Sequence, residues 1–200
     1  MKEMRVVLPS IERPKKLPVV LSRNEVRRLL KAPKLLKHRL VLAMLYGCGL
    51  RNFELCNLQL KDLDLERMML HIRQGKGRKD RYVPLCAMQV RGLRKYISAE
   101  RPVTWCFNGN DSKGDPVALS TTGVQWIVRE ARKHSGIQKE VTTHSLRHSY
   151  ATHLLEMGLD IISVKDLLGH ADIQTTLTYL HVAQLGRQRP FSPLERLYDK

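Results

Sequence analysis

Residues 143 to 148 read Thr-His-Ser-Leu-Arg-His, which places two imidazoles and a guanidinium at the start of a predicted helix. The first turn of a helix has unpaired amide hydrogens and the positive end of the helix dipole. An arginine fork adds paired donors, so the segment suits a phosphate or a similar oxyanion. His144 and His148 are four residues apart and share a helix face, as a zinc pair would. Zinc would need a third ligand, and the sequence has no HExxH pattern. The competing reading of His144 and Arg147 is a helix cap with a surface charge. His148 and His153 are expected to pack or hydrogen-bond inside the fold. Asp62 and Asp64 form a DLD that would tempt a two-metal nuclease reading. With no second acidic cluster to complete such a site, the pair reads as a helix-to-strand turn.

These residues need a scaffold, and the sequence marks most of it. Ser22 followed by Glu25 makes a capping box, and Val26, Leu29 and Leu30 then fall on one helix face. Residues 35–46 predict a strongly apolar helix. Gly47 and Gly49 interrupt it, and Arg51–Leu58 resumes as a short helix after a tight turn that aims Arg51. Residues 68–73 and 81–85 are strand-like and flank a Gly-bearing basic loop, Gln74 to Asp80, so a β-hairpin with a cationic tip is expected. Further helices are predicted over 87–99, 121–135 ending at Gly136, 144–156, and 160–168 ending at Gly169. The expected fold class is mainly α with a small antiparallel β-sheet, in one domain.

Composition narrows the partners. Lys and Arg number 35 against 19 Asp and Glu, a formal charge of +16. Such an excess repels itself unless a polyanion neutralises it, so double-stranded DNA or another nucleic acid is the expected partner. No apolar run approaches the ~20 residues that span a bilayer, and no membrane partner is expected. Cys48, Cys56, Cys86 and Cys106 sit singly, without CxxC pairs, which fits reduced thiols in a cytoplasm. Residues 1–20 hold three prolines and several basic residues and read as a linker without the pattern of an export signal. From residue 184 a Pro-containing tail begins.

Four segments together resemble the signature of the tyrosine recombinase, or phage integrase, family of the Xer-like kind. They are GLRNFEL at 49–55, GKGRKDRYVPL at 75–85, HSLRHSYATHLLE at 144–156 and LLGHADIQTTLTYLHV at 167–182. The resemblance runs from about residue 17 to residue 182 and implies that family's catalytic-domain fold over 21–183. It assigns the first arginine to Arg51, the hairpin lysine to Lys76, the HxxR pair to His144 and Arg147, the later histidine to His170 and the nucleophile to Tyr179. Glu54 matches the acidic residue three positions after the first arginine. Arg78 and Lys79, on the same hairpin, are expected DNA contacts.

The implied chemistry is transesterification at a phosphodiester, giving a 3′-phosphotyrosine and a free 5′ hydroxyl. Arg51 and Arg147 would clamp the non-bridging oxygens, since guanidinium groups stay charged and donate in planar pairs. Tyr179 must lose a proton although a free phenol has a pKa of about 10, and His144 is the candidate base. By the resemblance, Lys76 would protonate the leaving oxygen and His170 would hydrogen-bond the phosphate. No cofactor is implied, because one phosphate ester is exchanged for another. Family members usually assemble as tetramers around two DNA sites and pass C-terminal segments between protomers, a role residues 184–200 could fill. Most also carry a separate helical DNA-binding domain ahead of the catalytic one. Residues 1–20 resemble the linker between the two, so that domain is expected to be missing here. The rival functions are relaxation like that of a type IB topoisomerase and a non-catalytic DNA-binding accessory role. The second would predict a lost nucleophile or arginine, whereas all of these residue types are present.

Overall fold

The computed structural model describes residues 18–73, 80–111 and 113–183. Lys76, Arg78 and Lys79, most of the linker and the tail from 184 lie outside the described residues. The element order is α1 (Arg23–Lys31), α2 (Leu36–Gly47), α3 (Asn52–Cys56), a 3₁₀ turn (Leu60–Asp62), β1 (Leu63–Asp64), β2 (Met69–Ile72), β3 (Arg81–Pro84) and α4 (Ala87–Glu100). It continues with β4 (Asn108–Asn110), β5 (Pro116–Ala118), α5 (Thr121–Ser135), α6 (Thr143–Glu156), α7 (Ile161–Leu168) and α8 (Gln174–Ala183). None of these helices is long and apolar enough to cross a membrane.

The predicted helices form where their caps are written. Ser22 and Glu25 close the capping box of α1, and Gly136 and Gly169 end α5 and α7 in the left-handed conformation. At the centre is α2, whose Leu40, Val41, Leu42, Met44 and Leu45 are all buried, with α1, α4, α5 and α6 packed around it. It runs on through Gly47 instead of breaking there. A Cβ at Gly47 would lie 2.7 Å from Nε2 of Gln89, so this glycine allows α4 to approach closely. The side chains of α6 are buried on nearly every face, against α2 on one side and α7 and α8 on another. Tyr150, Leu155, Val164, Leu168 and Tyr179 form a smaller core between α6, α7 and α8.

The sheet is antiparallel in the order β1-β2-β3, with Leu70 opposite Val83 and Ile72 opposite Arg81. Arg81 therefore points to the buried face beside Val83. The DLD forms the turn into β1: Asp62 is buried and pairs with Arg73 Nε at 2.7 Å, and Asp64 accepts from the Arg67 amide. Four elements lie beyond the sequence reading, the first being the short strand β1 at the DLD turn. The hairpin β4-β5 is built from Asn-Gly-Asn and Pro-Val-Ala, residues that resemble a loop. The fourth, α8, contains Thr175, Thr176 and Thr178, poor helix formers held by packing on α6.

Candidate active site

A tight turn at Gly49 joins α2 to α3 and sets the position of Arg51. Gly49 has φ +59°, and a Cβ there would lie 2.5 Å from the Tyr150 ring. Arg51 caps α3: its backbone amide donates to Glu54 Oε2 and its Nη1 to Glu54 Oε1, both at 2.8 Å. The same carboxylate accepts a two-pronged interaction from Arg81, at 2.8 and 2.7 Å, with Arg147 Nη1 at 3.9 Å. Burial alone would raise the Glu54 pKa. Arg81's hydrogen bonds and charge, the Arg51 amide and the Arg147 charge outweigh it and hold the carboxyl at about 2.

The C-terminus of α7 gathers all three arginines. Arg81 Nε donates to the carbonyl of Leu167, Arg147 Nη2 to that of Leu168, and Arg51 Nη2 to that of Gly169. Terminal helix carbonyls lack partners within the helix and carry the negative end of the dipole, so cations settle there. Arg147 also donates from Nη1 to Gly49 O, which ties α6 to the turn that carries Arg51. Burial and the neighbouring Arg51 lower Arg147 to about 10, so it stays charged at neutral pH. Arg51 keeps 22% of its side chain exposed against 4% for Arg147, so a bound anion would meet Arg51 first and find Arg147 behind it.

Tyr179 comes in from α8. It is buried, and its hydroxyl lies 3.0 Å from Nδ1 of His148. Burial pushes the phenol above its ordinary range, while the Arg147 and Arg51 charges pull it back. His170, just past the α7 cap, shares a hydrogen bond with Thr176 Oγ1 at 2.9 Å, and its ring lies 6.1 Å from that of Tyr179.

The structure thus brings together Arg51, Glu54, Arg147, His170 and Tyr179. It changes the reading of the histidines. His144, the expected base, stands exposed on the first turn of α6, and its ring is 6.3 Å from that of His148. His148 lies one helical turn deeper, where α8 covers it, and is the residue that meets the phenol. As expected, His153 hydrogen-bonds inside the fold, with Tyr46 at 2.9 Å. The sequence reading assigned no role to Arg81. Its signal was a charge at the same parity as Val83 in a short strand, where an apolar residue would be expected to face the core.

Such a site defines a class of protein: a helical domain in which guanidinium groups suited to a phosphoryl group gather beside a tyrosine hydroxyl. The comparisons agree with it. The model of the phage integrase family matches residues 19–185. Tyrosine recombinase XerA of Thermococcus kodakarensis is 41% identical over 171 residues, covering 84% of this chain and 60% of that protein. The crystal structure of XerA recombinase superposes with a TM-score of 0.76 at 32% identity, covering 90% of this chain and 68% of that one. The crystal structure of XerH site-specific recombinase in a post-cleavage complex with palindromic difH substrate gives 0.72 at 27% identity, covering 85% and 51%. The chain belongs to the phage integrase family. It spans about three-fifths to three-quarters of the length of the curated relatives it matches.

Proposed function

We propose that the chain is the catalytic unit of a site-specific DNA recombinase that cleaves and rejoins strands through a 3′-phosphotyrosine on Tyr179. The observation that carries this reading is the convergence of Arg51, Arg147 and the Tyr179 hydroxyl at the C-terminus of α7. The non-bridging oxygens of a scissile phosphate would be held by Arg51 and Arg147, where charge builds as Tyr179 Oη bonds to phosphorus and the bond to the 5′ oxygen breaks. Glu54 and Arg81 keep Arg51 in place. His170 is suited to hydrogen-bond the phosphate. Lys76 of the hairpin would protonate the departing oxygen, and Arg78 and Lys79 would contact the DNA backbone. The rejoining step reverses these bonds, so the reading calls for no cofactor.

The named relatives support this reading: one is a tyrosine recombinase, and the XerH recombinase was captured with its substrate after cleavage. We further propose, from the family resemblance, that copies of the chain pair DNA sites in a tetramer with residues 184–200 docking on a neighbour, and, from its singly placed cysteines, that it works in the cytoplasm. Denaturing gels of adducts formed on nicked duplex DNA test the reaction. We expect a covalent protein–DNA species in the wild-type chain that disappears in Tyr179→Phe. DNA binding without any adduct would instead support the accessory role.

A further inference from the structure

We propose that His148 is a catalytic residue of the cleavage step, taking the proton of the Tyr179 hydroxyl as that oxygen attacks phosphorus. The inference rests on the reading of Tyr179 as the nucleophile. Its ground is geometric. Nδ1 of His148 is 3.0 Å from Tyr179 Oη, within the reach of direct proton transfer, and the two rings meet at 5.4 Å with a tilt of 47°.

The neighbouring groups are less suited to the task. Arg147 and Arg51 act on the phenol as cations, favouring the phenolate, and a guanidinium cannot accept the proton. Nδ1 of His170 is engaged with Thr176. His144 is exposed, its ring 6.3 Å from that of His148, and so is placed to meet DNA instead.

The state of the ring fits the role. Burial, then the charges of His144 and Arg147, lower His148 to about 4. The imidazole is therefore neutral at physiological pH, and its Nδ1 can accept the phenol hydrogen. So low a proton affinity makes a weak base while the site is empty. A phosphodiester anion between Arg51 and Arg147 would offset the part of that depression due to positive charge, which raises the basicity of His148 when substrate arrives. The bonds balance. The Tyr179 O–H bond breaks as Nδ1–H forms, Oη–P forms as P–O5′ breaks, and the 5′ oxygen takes its proton from a separate donor. During rejoining, Nδ1 returns the proton to Oη.

His148→Asn separates holding from deprotonation, because an asparagine amide oxygen can stand near the Nδ1 position and accept the hydrogen bond but takes up no proton. The probe is a pool of nicked duplexes randomised around the nick, with adduct formation followed in a single turnover at saturating protein. We expect His148→Asn to bind the pool like wild type and to form the adduct about 100-fold more slowly or worse. The defect should persist on duplexes with sulfur at the bridging 5′ position, whose thiolate leaves without a proton. A fluorinated tyrosine at position 179, more acidic than tyrosine, should recover part of the lost rate. Thermal melts of His148→Asn and His148→Gln show which variant is folded, and the rates are read from that variant. A rate within threefold of wild type overturns the proposal, as does rescue by the sulfur substrate, which would place His148 on the leaving-group side. If wild type itself forms no adduct, the reading of Tyr179 falls and the proposal falls with it.

Discussion

Glu54 is a carboxylate bound to both Arg81 and Arg51, with Arg147 at 3.9 Å, and it is almost wholly buried. Removing one member of such a cluster leaves the others charged and unpaired in a poorly solvated place. Glu54→Gln should therefore cost roughly 3–5 kcal/mol at pH 7, measured by urea denaturation. The pH dependence follows from the depressed pKa. Because the folded carboxyl titrates at about 2, below its ordinary 4.5, its contribution is complete above pH 4.5 and is lost as pH falls from there towards 2. The stability gap between wild type and Glu54→Gln should narrow over that range, and a constant gap would show that the arginines do not depend on the charge. The sequence made Arg51, Glu54, Arg147, His170 and Tyr179 legible because their local contexts are distinctive. It did not reveal which histidine meets the phenol. His144 and His148 share a helix face, and only the packing of α8 on α6 distinguishes the buried one from the exposed one.

At the scale of elements, two left-handed glycines hold the arginine cradle together. Gly169 ends α7, and a Cβ there would lie 3.0 Å from Nη1 of Arg81. Gly49 ends the approach from α2 and offers its carbonyl to Arg147. Gly49→Ala would combine the cost of φ +59° with overlap against the Tyr150 ring, for a loss of roughly 2–4 kcal/mol. Since the displaced turn also carries Arg51, adduct formation should fall further than stability alone explains; the comparison is made below the melting point of the variant. Asp160, which caps α7 by accepting from the amides of Ile162 and Ser163, provides the contrast. Asp160→Ala should lower the melting temperature by less than Gly49→Ala does. These punctuation marks were readable, so α1, α5, α6 and α7 could be placed from sequence. The α8 helix and the β4-β5 hairpin could not, because long-range packing overrides the local preferences of their threonines, glycine and asparagines.

The whole molecule carries a formal charge of +16, far more than the few arginines committed to the site. Under the proposed function most of that charge has no role in the chemistry and would serve to neutralise phosphates, so binding should be governed by the release of counterions from DNA. A chain making 6–10 phosphate contacts would lose about 10³–10⁵ in affinity between 50 and 200 mM salt, and a nearly flat series would contradict the reading. The slope also separates binding from chemistry. Arg78→Gln with Lys79→Gln removes two cations from the predicted hairpin and should make the slope shallower by about two. Tyr179→Phe removes no charge and should leave the slope where it is while abolishing the adduct. If the hairpin variant kept the wild-type slope, the phosphate contacts would have to come from other basic residues, and the cationic tip expected from sequence would need another role.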